Sequence, residues 1–376
     1  MAAKKFGFAV LGLGNMGGVH VHNLMTSARA SVQWLVRSKV KEAEQFVTSL
    51  GLSARCAAPS DLDLVLDDPS VDAVVVCSPT DVHEDQIKRS LSAGKAVFCE
   101  KPITSDKDST AVCYDLAETS RQPLFCAFHR RFDPSFQQVQ CDVRRGTLGA
   151  LKLIRCSSHD QHYPPITYIR SSGGIVKDST IHDLDMSLWL SGSRPRRVLC
   201  QGQAFDPEVG ACGDFDLVVV TVLFDNGVVA VLDNGRQSSQ AYDQRLEVMC
   251  EKGGYQVSNQ PTLLSAALTP DSTCVPPSHS SFATRYEQAY RAEMEHFLDV
   301  LQGKTPTVTP DSTCVPPSHS SFATRYEQAY RAEMEHFLDV LQGRAELAVT
   351  RHDTLAAMSL ADAVTQAART QQPVDL

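Results

Sequence analysis

The sequence predicts an α/β fold of two domains, on three observations. A short apolar run, Phe6–Leu11, leads directly into a glycine-rich turn and then into a helical pattern. Apolar runs and helical patterns then alternate as far as residue 128, which is typical of a doubly wound parallel sheet. From about Gly149 strands follow one another as hairpins, which predicts an α+β domain with a mostly antiparallel sheet. We therefore expect a first domain at residues 1–128 and a second at 129–376.

Composition limits what the 376-residue chain is expected to bind. It carries 35 basic and 44 acidic residues, a net charge of −9, without a cluster of Lys and Arg. Nucleic acid and membranes are therefore not expected as partners. No stretch approaches the ~20 apolar residues of a membrane span, and the N-terminus does not resemble a signal peptide. The 12 cysteines form no CxxC pair, which favours free thiols in the cytoplasm over disulfides or a metal site.

The glycine-rich turn reads GLGNMG at residues 12–17, a G-x-G-x-x-G pattern between a strand and a helix. In this pattern the first glycine makes the turn and the second lets backbone approach the pyrophosphate of a dinucleotide. The third allows helix and strand to pack closely. The helix N-terminus supplies unpaired N–H groups for the phosphates. The predicted contacts are Gly12, Gly14, Asn15, Met16 and Gly17.

The second strand ends in cations, where a typical NAD site has an acid. Residues 32–36 run into Arg37, Ser38 and Lys39, and the next acid along the chain is Glu42. A guanidinium, a hydroxyl and an ammonium suit the 2′-phosphate of NADP(H) better than a bare ribose hydroxyl. We therefore predict that NADP(H) is favoured. The alternative is that Arg37 and Lys39 are solvated charges at a helix start and that NAD(H) is accepted.

Two later strands end in loops at the sheet edge where parallel sheets bind ligands. Residues 71–77 lead to the loop SPT at 78–80, and the strand at 96–99 leads to EKP at 100–102. An ammonium at the position of Lys101 can stabilise a developing alkoxide. The alternative is an ordinary surface ion pair with Glu100.

A second polar pair lies in GGIVKDSTIHDLDMSLWL, residues 173–190. Asp178 and His182 stand four residues apart, which places both on one face of a predicted amphipathic helix. A carboxylate beside an imidazole holds the ring in one tautomer and raises its basicity, as a general base requires. Taken alone, the spacing is better explained by a solvated helix start in which Asp178 opposes the helix dipole.

Several motifs resemble the Gfo/Idh/MocA family of oxidoreductases. They are the 12–17 loop, SPTDVHEDQ (78–86), AGKAVFCEKP (93–102) and FHRRFDPSF (128–136). Residues 157–192 and 241–254 are similar to the inositol 2-dehydrogenase branch of that family. The resemblance covers nearly the whole chain. It implies hydride transfer between a secondary alcohol of a cyclic polyol and NAD(P), giving a ketone.

The resemblance also implies roles for individual residues. His182 would take the hydroxyl proton, Asp178 would orient His182, and Lys101 would stabilise charge on the oxygen. It further implies that the peptide before Pro102 is often cis. With the loops described above, the predicted cofactor contacts are Arg37, Ser38, Ser78, Pro79, Thr80, His83, Glu100 and Lys101. The predicted substrate contacts are Lys101, His159, Asp178, His182 and Tyr242.

Two other functions stay open. One is a related NADP-dependent dehydrogenase that acts on a sugar, scyllo-inositol or a dihydrodiol. The other is a non-catalytic NADP-binding sensor, which the presence of Lys101, Asp178 and His182 disfavours. An open face of the second sheet predicts a homo-oligomer.

The second domain also contains a tandem repeat. Residues 269–303 recur without change at 309–343. Two copies do not make a solenoid, which needs about three units. We expect one copy to occupy the native helix position and the other to be peripheral.

Overall fold

The computed structural model of the chain describes residues 5–27, 29–238, 242–259, 267–269, 272–274 and 347–376. Among these, residues 5–133 and 347–351 form a first unit, and the remainder form a second. Apart from Thr269 and residues 272–274 of the first copy, the two repeat copies lie outside the described residues, and so does their predicted placement. None of the described helices combines the length and apolar character needed to cross a membrane.

The first unit is built on a six-stranded sheet. Its strands are β1 (Phe6–Leu11), β2 (Ala30–Val36), β3 (Arg55–Ala57), β4 (Ala73–Val76), β5 (Ala96–Glu100) and β6 (Leu124–Ala127). They lie in the order β3-β2-β1-β4-β5-β6, and every neighbouring pair is parallel. All four residues of β4 are buried, as a sheet covered on both faces requires. The strand order confirms the predicted doubly wound sheet.

Helices alternate with these strands, and local sequence explains where several begin and end. The carboxylate of Asp106 accepts hydrogen bonds from the backbone N–H groups of Asp108 and Ser109, which starts the fifth helix. That helix ends at Arg121, whose φ of 55° is left-handed. The helices are α1 (Asn15–Thr26), α2 (Val40–Ser49), α3 (Leu62–Leu66), α4 (His83–Ser92) and α5 (Lys107–Ser120). Short 3₁₀ turns lie at Pro59–Asp61, Thr80–Val82 and His129–Phe132.

The second unit holds a seven-stranded sheet and a small two-stranded one. The strands are β7 (Leu151–His159), β8 (Pro195–Gln203), β9 (Leu217–Phe224), β10 (Val229–Gly235), β11 (Asp243–Cys250), β12 (Gly254–Val257), β13 (Ala267–Thr269), β14 (Ser272–Cys274) and β15 (Val374–Asp375). The larger sheet has the order β12-β11-β7-β10-β9-β8-β15, and β13 pairs with β14. The predicted Asp225-Asn226-Gly227 turn joins β9 to β10, with Gly227 at a φ of +84°.

The larger sheet is mixed, whereas the hairpin pattern predicted a mostly antiparallel one. Strands β7 and β10 run parallel, while the other neighbouring pairs are antiparallel. The parallel pair arises because β8 and β9 are added on the far side of β10. Nothing in the local pattern of β7 shows that its parallel partner, β10, pairs with it at an offset of 76 residues.

The segment predicted as one amphipathic helix has two parts. Val176–Thr180 forms a π-helical turn, and an α-helix follows at Ile181–Ser191. This helix is not amphipathic, since His182 and Asp183 are as buried as its apolar residues. The helices of the unit are α6 (Pro134–Arg145), α7 (Ile166–Ser171), α8 (Ile181–Ser191), α9 (Pro207–Ala211) and α10 (Arg351–Thr370).

One hydrophobic core joins α8, α10 and the inner face of the mixed sheet. Leu184 of α8, Val220 of β9 and Leu360 of α10 belong to the same buried cluster, and each is fully buried. Burial of such a side chain stabilises a fold by about 2 kcal/mol. The core therefore fixes α8 and its first turn against the sheet.

Candidate active site

The glycine-rich turn at the end of β1 has the geometry that a dinucleotide needs. A Cβ atom on Gly12, which has a φ of +93°, would lie 2.6 Å from the carbonyl of Cys77. A Cβ atom on Gly17 would collide with the carbonyl oxygen of Gly12. At Gly14 a Cβ atom would meet nothing within 4 Å, so this glycine faces open space. Gly12 and Gly17 thus serve the chain's own packing, and Gly14 leaves room for a pyrophosphate before α1.

The end of β2 places an acid among the predicted phosphate-binding cations. Arg37 donates from Nη1 to the carbonyl oxygen of Leu13 at 3.0 Å, which ties β2 to the glycine-rich turn. The carboxylate of Glu42 lies 2.5 Å from Arg37 Nη2 and 2.8 Å from Lys39 Nζ. The hydrogen bond from Lys39 and the nearby charges hold the pKa of Glu42 below its ordinary value, against the opposing effect of burial. Ser38 is exposed between them.

His83 braces the two loops that follow β4 and β5. Its Nε2 lies 2.8 Å from the carbonyl oxygen of Ser78, and its Nδ1 lies 3.1 Å from that of Pro102. The ring is 1% exposed, and this burial lowers the pKa of His83. Pro79 is exposed and Thr80 half-buried in the loop that His83 supports. The predicted contacts of this loop with the cofactor stay predictions.

Lys101 lies in a polar group at the ends of β5 and β6. Its neighbour Glu100 takes His20 as a partner, with 2.9 Å between Oε1 and Nε2. Burial first, then the charges of Arg130 and Lys101, lower the pKa of His129 well below its ordinary value. The Lys101–Pro102 peptide is cis, as the resemblance implied. The ammonium of Lys101 therefore lies near a buried neutral imidazole.

In the second unit, Asp178 belongs to a buried ionic network. Arg236 Nη1 donates to Asp178 Oδ2 at 3.1 Å, and Arg236 Nη2 donates to Asp214 at 3.0 Å. The hydroxyl of Tyr168 donates to Asp178 Oδ1 at 2.7 Å. The Arg236 side chain is 1% exposed. Both oxygens of Asp178 are therefore held, which excludes the solvated helix start that its spacing alone favoured.

The buried carboxylate of Asp183 fixes the first turn of α8. Asp183 accepts from Ser158 Oγ at 2.9 Å and from Asn234 Nδ2 at 3.2 Å, which anchors the turn to β7 and β10. His182 lies on this turn and is 9% exposed. The π-helical turn that carries Asp178 directly precedes it. Such turns are frequent at functional sites.

The two remaining substrate candidates lie at the last residue of β7 and directly before β11 of the same sheet. His159 Nε2 is 3.1 Å from Asp233, and its Nδ1 is 3.1 Å from Asp243. Although burial opposes the charged ring, these hydrogen bonds raise the pKa of His159 to about 9. Tyr242 is 6% exposed. Since both nitrogens of His159 face carboxylates, its contacts hold three strands together; substrate contact by His159 or Tyr242 stays a prediction.

The structure thus gathers the predicted residues into two groups, one in each unit. The first group lies at the carboxyl ends of β1, β2, β4 and β5, and the second lies around the start of α8. Sequence reasoning missed Tyr168, Asp214 and Arg236, and it missed the ion pairs of Glu42. An arginine directly after the apolar strand β10 was the one available signal. Among the described residues, no group of His, Cys, Asp and Glu has the geometry to hold a metal ion.

These features are typical of dinucleotide-dependent oxidoreductases of two domains. The first domain has a parallel nucleotide-binding sheet and a lysine after β5, and the second has a mixed sheet and an Asp–His segment. Family models agree. Residues 6–128 match the model described as "Oxidoreductase family, NAD-binding Rossmann fold", and residues 136–256 match the Gfo/Idh/MocA C-terminal domain. The chain belongs to the Gfo/Idh/MocA oxidoreductase family.

Individual relatives are named for inositols. An inositol 2-dehydrogenase from Rhizobium meliloti (strain 1021) is 36% identical over 296 residues, which cover 78% of this chain and 88% of the relative. A scyllo-inositol 2-dehydrogenase (NAD(+)) from Bacillus subtilis (strain 168) is 33% identical over 315 residues, 80% of this chain and 87% of the relative. The crystal structure of a myo-inositol dehydrogenase from Corynebacterium glutamicum matches at a TM-score of 0.81 and 27% identity, over 99% of each chain.

Proposed function

We propose that the chain oxidises a secondary alcohol of a cyclic polyol such as myo-inositol to a ketone. Relatives named for this activity support the proposal. The observation that carries it is the buried ionic network that holds Asp178 directly before the turn bearing His182. A carboxylate held in place by an arginine and a tyrosine, next to a histidine-bearing turn, is a suitable arrangement for supporting a general base.

In this proposal His182 takes the proton of the substrate hydroxyl, and Asp178 stabilises the charged ring. The ammonium of Lys101 stabilises negative charge on the substrate oxygen. The nicotinamide, when bound, supplies the hydride acceptor. The glycine-rich turn and the loop braced by His83 hold the dinucleotide. Removing a general base costs a factor of about 10² to 10⁴ in rate.

The proposal extends to cofactor choice, with NADP(H) favoured and NAD(H) accepted. Arg37, Ser38 and Lys39 after β2 support it, because they present two cations and a hydroxyl. Glu42 opposes it, because its carboxylate pairs with both cations. Dissociation constants of NADPH and NADH, measured by nicotinamide fluorescence, compare the two; tighter binding of NADH would contradict the preference.

A polyol screen tests the reaction. The purified chain is offered myo-inositol, scyllo-inositol, an aldose and a dihydrodiol with NAD and with NADP, and absorbance of the reduced nicotinamide is followed. We expect turnover with an inositol, and loss of kcat in Lys101→Ala and His182→Ala with dinucleotide affinity retained in His182→Ala. Dinucleotide binding without turnover on any substrate would instead support the sensor function.

We also propose a homo-oligomer in the cytoplasm. The outer face of the mixed sheet presents Leu199 and Met249, each 46% exposed, and Val219, 40% exposed. Such a face is typical of an interface between copies. Val219→Asp should shift the mass in analytical ultracentrifugation towards a monomer, while an unchanged mass excludes this face. The ten cysteines whose side chains the structure describes are all free thiols, which supports a reducing compartment.

A further inference from the structure

We propose that Glu42 limits how strongly the first unit prefers NADP(H) over NAD(H). It supplies from the first turn of α2 the acid that is missing at the end of β2. This inference rests on the proposed dinucleotide-dependent function, and it concerns only the ribose end of the site in the first unit.

The position of Glu42 follows from its ion pairs with Arg37 and Lys39. Arg37 follows β2 directly and donates to Leu13 within the glycine-rich turn, so its guanidinium lies beside the predicted dinucleotide path. Glu42 reaches the same guanidinium with one carboxylate oxygen and the ammonium of Lys39 with the other. One carboxylate therefore engages both cations that the sequence assigned to a 2′-phosphate.

The two cofactors differ in how they meet this carboxylate. The 2′-hydroxyl of NAD(H) can donate a hydrogen bond to Glu42 while both ion pairs persist. A 2′-phosphate carries only acceptors and close to two negative charges, so it must displace Glu42 from Arg37 and Lys39. Like charges that share one pair of cations repel. Glu42 therefore lowers the affinity for NADP(H) more than that for NAD(H).

Exposure makes this exchange accessible. The side chains of Arg37, Lys39 and Glu42 are 34%, 73% and 40% exposed. Exposed ion pairs are weak, so a dianion can displace one carboxylate. Glu42 thus biases the choice without closing the site to either cofactor.

The test is Glu42→Gln, which keeps the shape of the side chain and removes its charge. Glu44→Gln is the matched control, because Glu44 lies on an exposed position of the same helix. Dissociation constants of NADPH and NADH are measured by nicotinamide fluorescence without substrate. Calorimetry with adenosine 2′,5′-bisphosphate and with AMP isolates the 2′-phosphate from the nicotinamide.

We expect Glu42→Gln to raise the affinity for NADPH relative to NADH by about tenfold, and Glu44→Gln to change this ratio by less than about twofold. Glu42→Gln should raise the affinity for adenosine 2′,5′-bisphosphate relative to AMP in the same way. Adding Lys39→Gln to Glu42→Gln should remove most of the gain.

The outcomes separate the two proposals. If the unmodified chain binds both dinucleotides and Glu42→Gln leaves their ratio unchanged, the role of Glu42 is wrong and the dehydrogenase function stands. An equal gain in Glu44→Gln also overturns the proposal, since it would reflect net charge alone. If the unmodified chain binds neither dinucleotide, both proposals fail.

Discussion

Two arginines in this chain make the same kind of contact in opposite surroundings. Arg236 of the second unit lies between Asp178 and Asp214 and is 1% exposed. Arg37 of the first unit pairs with Glu42, and its side chain is 34% exposed. A buried pair strongly destabilises a protein when one partner is removed, whereas an exposed pair contributes little. The buried arginine therefore fixes one geometry, and the exposed one can exchange its anion.

The largest expected effect comes from Arg236→Gln. It leaves two carboxylates facing each other with no cation between them, which should destabilise the second unit by about 3–5 kcal/mol. The chain has two tryptophans, Trp34 in the first unit and Trp189 in α8. In a Trp34→Phe background, urea unfolding followed by Trp189 fluorescence therefore reports on the second unit.

The control is Arg155→Gln, because Arg155 pairs with Glu247 on the exposed face of the same sheet. Its loss should cost about 0–1 kcal/mol. If Arg236→Gln and Arg155→Gln lower the free energy of unfolding equally, burial does not determine how much an ion pair contributes to stability here.

A pH dependence comes next in size and arises from His159. Its pKa is raised from 6.5 to about 9 in the folded chain, so the folded state holds the proton more tightly. The stabilisation is complete below pH 6.5 and is lost as the pH rises through about 9, with an upper limit of about 3 kcal/mol. Urea midpoints at pH 6 and pH 9.5 measure it. His159→Gln should remove this difference, and a slope retained in that variant would assign it to other groups.

A smaller effect is expected from Tyr168→Phe. It removes the hydroxyl donor to Asp178 but leaves the bond from Arg236, so the cost should be about 1 kcal/mol. The pH profile of kcat should also shift, because Asp178 then carries one fewer hydrogen bond. Thr167→Ser, at the neighbouring position on α7, serves as the comparison. If the pH profile of kcat is identical to that of the unmodified chain, Tyr168 does not act on catalysis through Asp178.

The smallest effect on stability is expected at the exposed pair itself. Glu42→Gln should leave the unfolding midpoint unchanged, even where it alters the affinity for NADPH. A clear loss of stability would mean that the ion pairs of Glu42 hold α2 in place, and that the two arginines differ less than their exposure indicates.

The sequence predicted well the features that nearby residues determine. The glycine-rich turn and the Asp225-Asn226-Gly227 hairpin each depend on a few consecutive residues, whereas the cis peptide before Pro102 was implied by the family resemblance. Arg236 is 58 positions from Asp178, and their contact requires both β10 and the π-helical turn to be in place. Likewise, the buried polar face of α8 follows from packing against the sheet, which periodicity cannot show. Turns that depend on local sterics can be predicted from the sequence, while contacts between residues far apart in the chain depend on the assembled fold.

The imidazole of His83 connects two loops that lie far apart in the chain. It touches one carbonyl of the loop after β4 and one carbonyl of the loop after β5, so a single ring acts as a strut between two stretches 24 residues apart, at Ser78 and Pro102. A substitution of His83 should weaken nucleotide binding and also disturb the position of the Lys101 side chain. Substituting His83 should therefore lower both the affinity for the dinucleotide and kcat, although the ring is buried.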